Sequence, residues 1–94
     1  MTSRRDQVGP VLQVGEVAVA VVAALRASNA SVTVEDRGSY LRVLVPGRCV
    51  LRRDEVERVL GRAFLLPGDL ELVMPSFKGR FAVDEDQATW AGDG

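Results

Sequence analysis

The segment "SVTVEDRGSYLRVLVPG" (residues 31–47) has the two-residue alternation of a β-hairpin. Val32 and Val34 share one face of the first strand, and "EDRGS" supplies turn chemistry in which Gly38 has access to positive φ. In the second strand, Leu41, Val43 and Val45 share one face. The other face carries Tyr40, Arg42 and Leu44. The pattern predicts a hairpin whose second strand ends at Pro46-Gly47.

Upstream of this hairpin, "VGPVLQV" (residues 8–14) is a short β-rich run. Pro10 has no amide hydrogen for a strand ladder, so we predict that it lies at a strand start or on an edge strand.

The next segment, "GEVAVAVVAALRASN" (residues 15–29), fits two structures. Its alternating valines are typical of a strand. Its five alanines and its length favour a helix, as do Glu16 near the start, Arg26 near the end and Asn29 as an end signal. We predict a helix.

Downstream, "RCVLRRDEVERVLGRAF" (residues 48–64) begins as an extended run and becomes helical. Asp54 followed by Glu57 resembles a capping box, and Gly61 is suited to the position after the helix. We predict a loop at residues 65–69.

The last third of the chain reads as three strands. "LELVM" (residues 70–74) alternates like a strand, "MPSFKGR" (74–80) reads as a strand-loop-strand connection, and residues 79–83 and 87–90 form a hairpin around an acidic tip. The predicted order is β-α-β-β-α-β-β-β. It indicates an α+β fold, one compact domain of antiparallel hairpins packed with two helices over residues 1–94, with flexible tails at 1–7 and 91–94.

Composition removes several kinds of chemistry. The 94 residues contain no His and one Cys, and the net charge is −1. Without imidazole or a second thiol we expect neither a metal site of that type, nor a cofactor, nor a Ser-His or Cys-His nucleophile. The charge disfavours a nucleic-acid partner, and no apolar run reaches the ~18 residues of a membrane span, so we expect a cytoplasmic protein.

Few single residues carry a chemical signal. Cys49 lies in an apolar alternation and is predicted to be a buried structural thiol. The acidic cluster at 84–86 is predicted to be a solvated hairpin tip. Trp90 fits either a core position or an exposed anchor, and Phe77 either the core or an interface. The arginines of residues 48–53 fit either a solvated face or a partner-facing patch.

Five motifs occur in an order that resembles a known family: "VGPVL", "VEDRGSYLRVLVPGRC", "LGRAF", "LELVMPSFKGR" and "DEDQATW". The chain is similar to the coupling, or effector, proteins of soluble diiron monooxygenases of the toluene, phenol and alkene type, and is more distantly related to the methane monooxygenase regulatory component. The resemblance covers about residues 8–90. It implies a cofactor-free, non-enzymatic protein that binds the diiron oxygenase component and raises the rate and the coupling of NADH and O₂ use to product.

Two positions depart from that family's pattern. Ala63 stands where "LGRPF" is common, and Lys78 stands where a small residue often follows "SF". The N-terminal tail is also short, which puts a tail-based mechanism in doubt. Two other functions remain open, a small-molecule-sensing regulatory domain and a small enzyme that uses carboxylates alone.

Binding residues concentrate on loops, and Arg and aromatic side chains are common interface hot spots. We therefore predict a docking surface that combines the first hairpin's turn with the loop at residues 75–78. Its candidate residues are Arg37, Tyr40, Ser76, Phe77 and Lys78.

Overall fold

A computed structural model describes residues 7–92. Its strands and helices are β1 Gln7–Gln13, α1 Glu16–Ser28, β2 Thr33–Asp36, β3 Tyr40–Pro46, β4 Arg48–Arg52, α2 Arg53–Leu60, α3 Gly68–Glu71, β5 Ser76–Lys78, β6 Arg80–Val83 and β7 Gln87–Ala91. The predicted α+β class and the predicted order of strands and helices are confirmed, with β4 and α3 added to that order as short elements.

The strands form two antiparallel sheets. One has four strands in the order β2-β3-β1-β5, and the other has three in the order β4-β7-β6. The first predicted hairpin is confirmed, because β2 pairs with β3 from Thr33 opposite Leu44 to Asp36 opposite Leu41. The final hairpin is confirmed as well, since β6 pairs with β7.

One hydrophobic core lies between the sheets and the helices. The predicted apolar face of β3 points inward, because Val43 and Val45 are buried and Leu41 packs partly buried against the core. Trp90 is 0% exposed, so of its two possible roles the structure selects the core position. Burial of Cys49 is confirmed too, and the apolar surroundings raise the pKa of its thiol to about 12.

Helix α1 forms where the sequence also allowed a strand. Its buried residues follow helical spacing: Ala18, Ala20, Val21, Ala24 and Leu25. The exposure of Val19, midway between two valines of the alternating set, shows why the strand pattern misleads here.

The side chain of Asn29 ties the end of α1 to β4. Its Nδ2 donates to the carbonyls of Leu25 and Val50, both at 2.8 Å, and its Oδ1 accepts from the Val50 amide at 3.0 Å. The side-chain amide therefore pairs with Val50 as a neighbouring strand would, on the side of β4 that β7 does not cover.

The placement of Pro10 differs from the prediction. It is buried within β1, which lies between β3 and β5 and is therefore not an edge strand. The pairing of β1 with β3 stops after Val8 opposite Val45 and resumes at Val11 opposite Arg42. The ladder is interrupted where Pro10 has no amide hydrogen to donate. Gly9 allows β1 and β3 to lie this close together at the interruption. Its φ is 150°, and a Cβ there would lie 2.4 Å from the Val43 carbonyl oxygen.

The strand predicted at residues 70–74 is wrong. Residues Gly68–Glu71 form the short helix α3, and the strand of this region is β5, at Ser76–Lys78. Leu70 and Met74 are both buried, but Leu72 between them is 77% exposed. Spacing of four residues satisfies a helical turn as well as an alternation, and packing selects the turn.

The predicted capping box of α2 is also wrong. The helix begins at Arg53, its N-cap is Arg52, and no side chain caps it. Glu57 instead accepts a hydrogen bond from the Phe64 amide at 2.9 Å, which fixes the chain after the helix. Gly61 is confirmed as the terminating residue, with φ 74° and its amide donating to the Glu57 carbonyl.

Among the residues predicted to be tails, Gln7 is the first residue of β1 and Ala91 is the last of β7. Gly92 donates to the Gly47 carbonyl at 2.9 Å. The other predicted tail residues, 1–6 and 93–94, lie outside the described residues.

Candidate docking surface

Strand β1 determines which distant segments meet on the outer face of the four-stranded sheet. It pairs with β3 along one side and with β5 along the other, so that Gln13 lies opposite Tyr40 and Pro10 lies opposite Phe77. Residues far apart in the sequence therefore line one groove of about 330 Å³: Gly9, Val11, Tyr40, Arg42, Leu44, Ser76, Phe77 and Lys78. Four of the five predicted candidates are in this set.

The fifth candidate, Arg37, lines an adjoining groove of about 430 Å³. That groove shares Arg42, Leu44 and Lys78 with the first, and the two together form a continuous outer face. The structure therefore brings all five predicted residues to two adjoining grooves on the four-stranded sheet. We call this surface, which the two grooves define, the sheet face.

The turn that carries Arg37 is held by local hydrogen bonds. Asp36 Oδ1 accepts from the Gly38 amide at 2.8 Å, and the Arg37 amide donates to the Tyr40 carbonyl at 2.9 Å. Arg37 also pairs with Glu35, with 3.0 Å between Nη2 and Oε1. The turn thus presents the guanidinium beside β2.

Phe77 lies on a strand, although residues 75–78 were predicted to form a loop. It is 44% exposed, and its ring is 5.2 Å from that of Phe81 between centroids. Phe81 in turn lies 5.3 Å from Trp90. Phe77 therefore combines both roles that the sequence left open: the residue lines the groove, and its ring packs on Phe81 towards the core.

Gly79 is where the chain passes from one sheet to the other, between β5 and β6. Its φ is 107°, and a Cβ there would lie 2.8 Å from Val8 Cγ1 and 3.0 Å from the Ala91 carbonyl oxygen. Only glycine accommodates both the conformation and the close approach, so this residue fixes how β5 presents its side chains.

Arg42 is the residue of the sheet face that the sequence-based candidates missed. It lies on β3 and lines both grooves. The alternation of β3 already placed it on the same face as Tyr40 and Leu44. What the sequence lacked was the position of β1 and β5, which make that side the floor of a groove.

The other charged side chains singled out in the sequence make local hydrogen bonds and ion pairs. Asp84 Oδ1 accepts from the amides of Asp86 and Gln87 at 2.7 and 2.9 Å, and these hydrogen bonds lower the pKa of Asp84. The exposed hairpin tip predicted at 84–86 is confirmed. Arg52 Nε lies 3.6 Å from Asp54 Oδ1, and Arg53 Nη2 lies 3.8 Å from Asp86 Oδ1.

A separate depression of about 250 Å³ lies between α1 and α2. Val19 and Val59 line it, and they are 64% and 45% exposed. Glu16 also lines the depression, and its carboxylate forms an ion pair with Arg62. None of the five candidates lines this depression.

Within residues 7–92, no three His, Cys, Asp or Glu side chains are grouped so that they could hold a metal ion. No helix in the same range is long and apolar enough to cross a membrane.

Two antiparallel sheets on a helical pair, with a grooved sheet face, define a class of small α+β domain. The chain belongs to the MmoB/DmpM family, whose profile matches residues 6–91. This confirms the resemblance drawn from the five sequence motifs.

The similarity extends to a curated relative. The chain is 40% identical over 85 residues to the effector subunit of the alkene monooxygenase system of Xanthobacter autotrophicus (strain ATCC BAA-1158 / Py2), with 88% of this chain and 83% of the relative covered.

Solved structures share the fold at lower identity. One belongs to a phenol hydroxylase–regulatory protein complex, with a TM-score of 0.81, 18% identity, and 93% of this chain and 98% of that chain covered. The other is the soluble methane monooxygenase regulatory protein B, with a TM-score of 0.72, 23% identity, and 99% and 70% covered.

Proposed function

We propose that this chain is the effector subunit of a diiron monooxygenase system and that it binds the oxygenase component through the sheet face. The observation that carries this is the convergence of Arg37, Tyr40, Ser76, Phe77 and Lys78, from two separate segments, around two joined grooves. The family membership and the similarity to an alkene monooxygenase effector subunit support a monooxygenase system as the setting.

The sheet face has the features of an interface. Phe77 and Tyr40 are large aromatic side chains that remain 44% and 39% exposed, and basic side chains surround them. Aromatic and Arg side chains dominate the binding energy of protein interfaces when they become desolvated. Gly9 and Gly79 admit close backbone and side-chain contacts within the sheet beneath them.

The effect on the oxygenase is a shift between its conformations. A bound protein favours one conformation only through a difference in affinity for the two, and a tenfold shift requires about 1.4 kcal/mol of such a difference. One buried aromatic or Arg contact supplies energy of that size. The chain needs no catalytic group of its own to raise the rate and the coupling of NADH and O₂ use to product. Its cytoplasmic location remains a prediction from the sequence.

The test is a reconstituted system of oxygenase, reductase and any electron-transfer protein it needs, assayed with and without this chain. We expect more product per NADH consumed when the chain is present. Phe77→Ala should reduce that gain, whereas Leu72→Ala, which removes an apolar side chain exposed outside the grooves, should preserve it. Equal product per NADH with and without the chain would contradict the proposal.

A further inference from the structure

Arg42 occupies the centre of the sheet face. Its cross-strand neighbours are Val11 on β1 and Glu35 on β2, and its side chain lines both grooves. It is partly buried, unlike Arg37 at the turn, which is exposed. A group bound in either groove therefore approaches this guanidinium.

The nearest carboxylate in register is engaged elsewhere. Glu35 lies opposite Arg42, but its Oε1 accepts from Arg37 Nη2 at 3.0 Å. Across residues 7–92, Arg42 has neither a hydrogen bond nor an ion pair that satisfies its charge. A partly buried arginine whose guanidinium has no anion gains charge-assisted hydrogen bonds when a carboxylate reaches it from outside.

The surroundings of Arg42 carry the same sign of charge. Of the residues within 7–92 that line the grooves, Arg37, Arg42 and Lys78 are basic and Glu35 alone is acidic, although the whole chain has a net charge of −1. The described residues of the sheet face thus include more basic than acidic side chains, on a protein of slightly negative net charge. Such a region attracts an acidic partner surface and orients its approach.

We propose that Arg42 is a specificity-determining residue that binds a carboxylate side chain of the oxygenase component, while an apolar side chain next to that carboxylate enters the groove between Tyr40 and Phe77. This rests on the proposed function and identifies the chemistry of the partner. The planar guanidinium accommodates a carboxylate through two parallel hydrogen bonds, which an ammonium group does not reproduce. The groove of about 330 Å³ has room for a side chain beside that ion pair.

The experiment is a titration of the oxygenase component with wild type, Arg42→Gln, Arg42→Lys and Arg48→Gln, each at low and at physiological salt. Arg42→Gln should weaken binding about tenfold or more and reduce its dependence on salt, because a desolvated charge pair is lost. Arg42→Lys should keep the salt dependence but recover only part of the affinity. Arg48→Gln removes an exposed arginine of the other sheet and should bind like wild type.

The outcomes separate this inference from the proposed function. Binding and activation by wild type, with the same affinity for Arg42→Gln, would overturn the role of Arg42 and leave the function intact. Wild-type affinity for Arg42→Lys would overturn the two-hydrogen-bond recognition. If Arg48→Gln lost as much affinity for the oxygenase as Arg42→Gln, the assignment of the docking surface to the sheet face would be overturned. Neither binding nor activation by wild type would overturn the proposed function itself. Melting temperatures of all variants within a few degrees of wild type show that the comparison reports binding.

Discussion

The two sides of the four-stranded sheet differ in what fills them. On the inner side, Val43 and Val45 are buried in a core without a buried polar residue among those described. On the outer side, Tyr40, Arg42 and Leu44 of the same strand line open grooves. A single strand therefore gives one face to the core and the other to the proposed docking surface, and substitutions on the two faces should have different consequences.

The largest effect is expected on the inner side. Val43→Asp would place a charge where no partner exists, which costs several kcal/mol against a total stability of about 5–10 kcal/mol for a domain of this size. The variant should be largely unfolded in a circular dichroism melt. Ser76→Asp, on the exposed outer face, is the matched control and should melt cooperatively near wild type. A native-like melt for Val43→Asp would mean that the two sides have been assigned wrongly.

Gly9→Ala tests the backbone between the two faces. The new Cβ would meet the Val43 carbonyl oxygen at 2.4 Å, at a φ of 150° that side chains rarely adopt. We expect a loss of about 2–4 kcal/mol in the free energy of unfolding in urea. Gly68→Ala is the control, because a Cβ at Gly68 meets nothing within 4 Å, and its stability should equal or slightly exceed that of wild type. Similar values for the two variants would show that β1 and β3 can separate at little cost.

Asn29→Ala examines the side chain that covers β4. It removes three hydrogen bonds and leaves the amide of Val50 without that partner, so we expect a loss of about 1–3 kcal/mol in thermal or urea unfolding. Asn29→Asp should not recover the wild-type stability, because a carboxylate can accept from the Val50 amide but cannot donate to the two carbonyls. Full stability in the Asp variant would contradict the assigned pairing.

The smallest effect on stability is expected on the outer side. Arg37→Ala and Lys78→Ala should leave the melting temperature nearly unchanged, since exposed ion pairs contribute little. At least one of them should weaken binding to the oxygenase by about 1–2 kcal/mol, or roughly five- to thirtyfold. Wild-type affinity in both would move the docking surface towards the arginines of β4, Arg48 and Arg52.

Much of the fold follows from local patterns. The hairpin of β2 and β3 was predictable because its side-chain period is two and its turn contains Gly38, with both signals inside one short segment. The end of α2 was predictable from Gly61 for the same reason. The prediction at 70–74 failed because Leu70 and Met74 satisfy strand and helix spacing equally, and only their packing distinguishes the two.

By itself the sequence determined which residues of β3 share a face, the hairpins, and the family through five motifs in order, and it favoured a helix for α1 through its alanines and length. The tertiary structure alone decided that β1 joins β3 to β5, and hence that Arg37, Tyr40 and Phe77 share one surface with Arg42 at its centre. The physical reason is that β5 has three exposed residues and no periodic signal of its own. It becomes a strand through hydrogen bonds to a segment more than sixty residues earlier, and such non-local pairing leaves no mark in the local sequence.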